Sequence, residues 1–132
     1  MLRLLLVSPD KDALSGLASA LAKHRDVDLF WAESGSKALN MISESAVDLV
    51  VTDENLGDMT GLELAGRLLA VNPMVNCASV SSLSSEDFHG ASEGLGLLMQ
   101  LPIRAGEEQA EDLLRHLRQI KEFTDSATLV QR

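Results

Sequence analysis

Three short polar stretches hold the side chains best placed for chemistry. They are Ser8-Pro9-Asp10, the loop Asp53-Glu54-Asn55-Leu56-Gly57-Asp58-Met59-Thr60-Gly61, and Ser81-Ser82-Leu83-Ser84-Ser85. Together they offer carboxylate and hydroxyl oxygens, the donors a hard cation takes. Other chemistries fare worse. His24, His89 and His116 are dispersed, and with Cys77 as the only cysteine no His/Cys metal spacing exists. Each histidine reads as a surface residue. Cys77 lies in an apolar stretch without a base nearby, so it reads as a buried thiol and not as a nucleophile. Gly94-Leu95-Gly96 precedes an apolar run, whereas a nucleotide-binding turn needs its glycines after the first strand, where Ser8-Pro9-Asp10 stands. Glu54 and Asp58 read as solvated loop acids. Asp53 taken alone is an ordinary turn residue; the elements around it raise its standing.

Those elements follow from periodicity. Leu2 to Val7 is a nearly continuous apolar run, the pattern of a strand buried on both faces. Asp10 then suits the N-cap of a helix over 10–23, with Leu14, Leu17, Ala18 and Leu21 as its apolar stripe. A second strand spans 27–32, with Trp31 packing against a helix. Ser34 or Ser36 starts a helix whose inner face is Ala38, Leu39 and Ile42. The third strand, 47–52, ends at Asp53. A helix over 62–71 follows and is stopped by Asn72-Pro73. Residues 75–80 form a fourth strand. The helix predicted over 86–93 is poor because Gly90 and Ser92 interrupt it. A fifth strand spans 97–101, and a last helix runs from 107 to 123. Its inner stripe is Ala110, Leu113, Leu114, Leu117 and Ile120. Residues 124–132 read as a C-terminal tail or linker outside a domain of 1–123.

Five alternating strand–helix units with short connections predict an α/β fold, a three-layer α/β/α sandwich around a five-stranded parallel sheet. In such sheets the site lies beyond the carboxyl ends of the strands, near the switch in strand order. That rule selects the same three polar loops.

Composition bounds the rest. The 132 residues suit one domain, and a chain of this length buries roughly two-thirds of its unfolded surface. Aromatics are only 3% and Tyr is absent, so the core must be aliphatic. A net charge of −9 opposes a nucleic-acid surface and attachment to anionic lipid. No apolar run reaches the length of a membrane span. The N-terminal run is too short for a signal peptide, and a reducing cytoplasm suits a chain without disulfides.

The segment Val47-Asp48-Leu49-Val50-Val51-Thr52-Asp53, with Gly61 eight residues after Asp53, resembles the phosphoacceptor segment of response-regulator receiver domains. Leu4-Leu5-Leu6-Val7 before Ser8-Pro9-Asp10 is similar to the family's first strand and acidic loop. Gly94 to Pro102 resembles its fifth strand and Lys-Pro turn. The resemblance covers roughly residues 1–122 and implies strand order 2-1-3-4-5. It also implies a role in two-component phosphorelay signalling, with a histidine kinase or other signalling protein as partner. The chain would not itself be an enzyme, and a homodimer could form through the last helices and fifth strand. Carried over residue by residue, Asp53 takes the phosphoacceptor position and Asn55 the backbone-carbonyl ligand of Mg²⁺. Ser81 takes the switch hydroxyl, with Ser79 and Ser82 competing if the register slips. The departures are Ser8 and Pro9 in place of two loop acids, Leu101 in place of the Lys, Leu98 in place of the switch aromatic, and Gly57 in place of a Pro. Asp10 is one residue late to replace a lost acid and is better used as a helix cap. The resemblance therefore implies weak Mg²⁺ binding if any. It leaves two mechanisms, a phosphoacceptor receiver and a phosphorylation-independent pseudo-receiver that docks proteins, and the missing acids and Lys favour the second.

Overall fold

In the computed structural model the backbone of residues 1–130 and the side chains of residues 1–122 are described. The elements are β1 (Leu2–Val7), a short 3-10 helix (Lys11–Leu14), α1 (Ser15–Ala22), β2 (Val27–Ala32), α2 (Gly35–Glu44), β3 (Leu49–Thr52), α3 (Gly61–Val71), β4 (Asn76–Val80), α4 (Ser85–Ala91), β5 (Met99–Leu101) and α5 (Glu107–Val130). All four strand pairings are parallel, and the sheet order is β2-β1-β3-β4-β5. Both the predicted fold class and the predicted strand order hold.

The strands are apolar on both faces because helices cover both. Along β1, Leu4 and Leu6 enter one core and Leu5 and Val7 the other, the two-residue alternation of a strand. The first core gathers Leu14, Leu17 and Leu21 with Ala110, Leu113, Leu114 and Leu117, so α1 and α5 cover that face. The second gathers Ala38 and Ile42 with Leu64, Ala65 and Leu68, so α2 and α3 cover the other.

Several boundaries differ from the predicted ones. Asp10 does cap, its carboxylate accepting from the Asp12 N–H at 3.0 Å, but the first turn is 3-10 and the α-helix begins only at Ser15. Ser34, not Ser36, caps α2. β5 is three residues long, because Gly94 and Gly96 adopt positive φ just before it. Ile120 is 36% exposed and does not join the core stripe of α5. That helix runs past the predicted end at 123 to Val130; residues 131–132 lie outside the described residues. Among the described residues no helix is long and apolar enough to cross a membrane.

Candidate functional site

Asp53 is placed by the ladder that ends beside it. Its N–H donates to the Val7 carbonyl at 2.9 Å, one residue past the last paired position of β1 and β3. Its carboxylate has two partners. Oδ1 accepts from the Glu54 N–H at 2.7 Å, and Oδ2 lies 2.9 Å from the Ser8 hydroxyl. Ser8 is 2% exposed; its hydroxyl also accepts from the Asp10 N–H at 3.0 Å and lies 2.8 Å from the Asp10 carbonyl. The single hydroxyl proton can serve either oxygen. Gly61 makes this corner possible. A Cβ there would lie 2.4 Å from the Asp53 carbonyl oxygen and 3.0 Å from Ser79 Oγ, so only glycine fits.

Asp53 opens onto a cavity of about 490 Å³, lined also by Asp10, Asp12, Ser15, Gly16 and Arg104. Arg104 sits in the loop after β5 at φ +59, a left-handed conformation uncommon outside glycine. It brings a cation to the cavity from a place the resemblance does not point to; Leu101, which the resemblance sets at the Lys position, is 0% exposed within the first core. The sequence reading missed Arg104; the signal was a basic residue two positions beyond the turn proline Pro102. Leu98 is half-buried and packs against that core as well.

Glu54 and Asp58 are loop acids as expected, and each also accepts backbone donors from elsewhere in the chain. The Glu54 carboxylate accepts from the Ser82 N–H at 2.7 Å and from the Ser82 hydroxyl, which is 3.0 Å from each oxygen. The Ser82 N–H, with help from the Ser82 and Ser81 hydroxyls, holds the Glu54 carboxyl below its ordinary value against the opposing effect of burial. Asp58 accepts from the N–H groups of Ser36 and Gly35, both at 3.0 Å, so the loop after β3 caps α2. Those donors lower the Asp58 carboxyl. The partners lie 28 and 23 residues away in sequence and meet only in the fold.

Ser81 is buried; its N–H donates to the Leu101 carbonyl at 3.0 Å and its hydroxyl accepts from the Leu83 N–H at 3.1 Å. Ser79 is buried too and donates to the Val80 carbonyl. Asn55 is exposed, and its side-chain oxygen accepts from the Gly57 N–H at 3.0 Å. Cys77 is buried, and burial pushes its thiol up to about 12, as suits an inert core residue. His24 pairs with Glu111 at 2.8 Å, linking the end of α1 to α5 rather than standing free.

Mg²⁺ wants near-octahedral oxygen ligation. Where two loop acids would stand there is a buried hydroxyl and a proline, and the Asp10 carboxylate is turned to its own helix turn. Among the described residues no group of three or more His, Cys, Asp or Glu could hold a metal ion.

Comparison with known proteins gives three results. Residues 4–102 match the family described as "Response regulator receiver domain". A response regulator receiver protein of Anaeromyxobacter sp. (strain Fw109-5) is 29% identical over 102 residues; the match takes in 77% of this chain but only 42% of that protein's length. Among solved structures, the signal receiver domain of an HD domain-containing protein from Pseudomonas fluorescens Pf-5 superposes with a TM-score of 0.81 at 19% identity, covering 95% of this chain and 92% of that one. The chemotaxis response regulator CheY4 of Vibrio cholerae gives 0.77 at 17% identity, covering 89% and 98%. At such identities the structural likeness speaks for the fold.

Proposed function

The chain belongs to the response regulator receiver family, and from that premise we propose that it is a pseudo-receiver, a signalling module that docks proteins without phosphorylation of Asp53. The observation that carries this reading is the contact between Ser8 and Asp53. A neutral hydroxyl bonds the acceptor carboxylate where metal-holding acids belong. The buried Leu101 adds to it, because this side chain carries no charge with which to neutralise an incoming phosphoryl group. Phosphoryl transfer depends almost wholly on positioning and charge stabilisation. Removing one such electrostatic element typically costs about 2–4 kcal/mol. Losses within one site are not additive, but a single one already slows transfer about a hundredfold.

The module has no turnover of its own in this reading. Its partner is a histidine kinase or another signalling protein, met in the cytoplasm, and Mg²⁺ binds weakly or not at all. A second copy is a further candidate partner, through α4, β5 and α5. The test is treatment with a small phosphodonor and Mg²⁺, followed by mass spectrometry of the intact protein. Slow or absent modification of Asp53 is expected. Labelling at the rate of an ordinary receiver overturns the reading.

One observation favours the other mechanism, an Asp53 phosphoacceptor in a two-component phosphorelay. Arg104 lines the Asp53 cavity, and among the described residues no carboxylate lies within ion-pair distance of its guanidinium. If Asp53 is labelled and Arg104→Ala abolishes the labelling, this second mechanism holds.

A further inference from the structure

Among the described residues no hydrogen bond joins the Asp53 side chain to the loop after β4; its carboxylate oxygens are bonded to Ser8 and to the Glu54 N–H. The side chain that crosses is the next one. Glu54 takes both donors of Ser82, the N–H at 2.7 Å and the hydroxyl at 3.0 Å. From the far side Gln100 on β5 donates to the Leu83 carbonyl at 2.8 Å and to the Ser81 carbonyl at 3.4 Å. The loop is thus gripped from the loop after β3 on one side and from β5 on the other.

We propose that Glu54 is a built-in ligand for this loop, a positioning residue whose carboxylate fixes residues 81–84 and the start of α4 in one place with no modification of Asp53. The geometry gives it leverage. Ser84 caps α4, so any shift of the loop moves the helix start. Phe88 is the only buried residue of α4, so the helix has little core contact with which to hold itself in position. A carboxylate accepting N–H and O–H donors makes charge-assisted bonds, stronger than the neutral bond Gln100 supplies on the other flank. The Glu54 backbone is itself pinned, its carbonyl accepting from the Gly61 N–H at 3.0 Å. The consequence is a preset surface: the position of α4 is decided by a residue the chain always carries.

Amide hydrogen exchange, read residue by residue by NMR on the full chain at neutral pH, tests this. Glu54→Ala should speed exchange at Ser82, Phe88 and Ser92 by about tenfold, the loss of roughly one charge-assisted bond, while the amides of β1 keep their protection. Glu54→Gln retains an acceptor oxygen and should recover part of the loss. Ser82→Ala keeps its N–H donor and should loosen the loop less than Glu54→Ala. Asp53→Asn should leave the loop and α4 as they are. Unchanged exchange in Glu54→Ala overturns the proposal, and so does a loss of protection spread equally over β1 and β3, which would mean global destabilisation. The proposal stands apart from the docking reading above: rapid phosphorylation of Asp53 would end that reading and leave the exchange pattern untouched.

Discussion

In the proposed reading Ser8 stands where the family has a loop acid, and its hydroxyl lies 2.9 Å from the Asp53 carboxylate. Restoring the acids should therefore rebuild a metal site and create a repulsion at once. In Ser8→Asp with Pro9→Asp, carboxylates crowd Asp53, and like charges held together destabilise the fold until a cation neutralises them. The Tm of that variant should fall without Mg²⁺ and rise on its addition, because a ligand bound only by the native state stabilises it. The native chain should show almost no Mg²⁺ dependence in the same thermal scans. A strong dependence of the native Tm would show that Asp10 or Glu54 ligates after all. A second residue-scale expectation concerns acid. Glu54 and Asp58 have lowered folded values, so their unfolded forms bind protons more readily than their folded ones. Their stabilisation is complete above the ordinary carboxylate range, about 4, and is lost as pH falls through the lower folded values. Urea midpoints measured from neutral pH down through that range should drop, and Glu54→Gln with Asp58→Asn should flatten the drop. Asp53 stood out in the sequence because it follows an apolar run, although its partner Ser8 lies 45 residues away and was not legible as one. Glu54, Asp58 and Arg104 did not, because their partners or their cavity come from other loops. A loop acid that bonds across the fold has the same sequence signature as one that bonds water.

Element by element, the strands and helices were read with small errors at their ends, where periodicity fades first. β5 shrank to three residues because two glycines turn the chain just before it, and α1 yielded its first turn to a 3-10 helix. The interior of each element was fixed by burial and so was readable: Leu4, Leu6, Leu17 and Leu114 lie in the core the pattern predicts. The least expendable glycine is the one that opens α3. Gly61→Ala places a methyl 2.4 Å from the Asp53 carbonyl oxygen, which is backbone and cannot swing aside. A loss of about 1–3 kcal/mol in urea denaturation is expected from such overpacking, with displacement of Asp53 visible in amide shifts of residues 52–54. A loss no larger than that of a surface glycine would show that the corner is more plastic than its distances imply. In α4, one buried phenylalanine carries the packing, so Phe88→Ala should unfold that helix locally while the sheet persists, seen as exchange confined to residues 85–92.

For the molecule as a whole, the described core of α5 ends at Leu117, while the helix itself extends to Val130. The last described ion pair of that helix joins Lys121 to Asp48 at 3.5 Å. A chain cut after Phe123 should therefore keep its unfolding free energy from urea denaturation to within about 0.5 kcal/mol, the usual span for changes away from core features. A large loss would place part of the fold's stability in residues 124–132. The match to only 42% of the Anaeromyxobacter protein puts this unit beside other sequence in that relative. The outward apolar side chains Leu83, Ile103 and Ile120 sit in the loop after β4, the loop after β5 and α5, the region proposed for a second copy. Sedimentation equilibrium of native and Ile103→Asp protein compares the two states directly; equal monomeric masses would remove that proposal.

The two bonds that hold the Asp53 carboxylate bear on how genetics at this position is to be interpreted. Asp53→Ala removes more than a site of modification. It leaves the Glu54 N–H without its acceptor and the Ser8 hydroxyl with only the Asp10 carbonyl, next to the residue that grips Ser82. A cell carrying that allele could lose signalling through a slackened loop, with no phosphate ever involved. Asp53→Asn keeps one acceptor oxygen and cannot form an acyl phosphate. An organism that tolerates the Asn allele and fails with the Ala allele is using the shape of this corner; one that fails alike with both is using its chemistry.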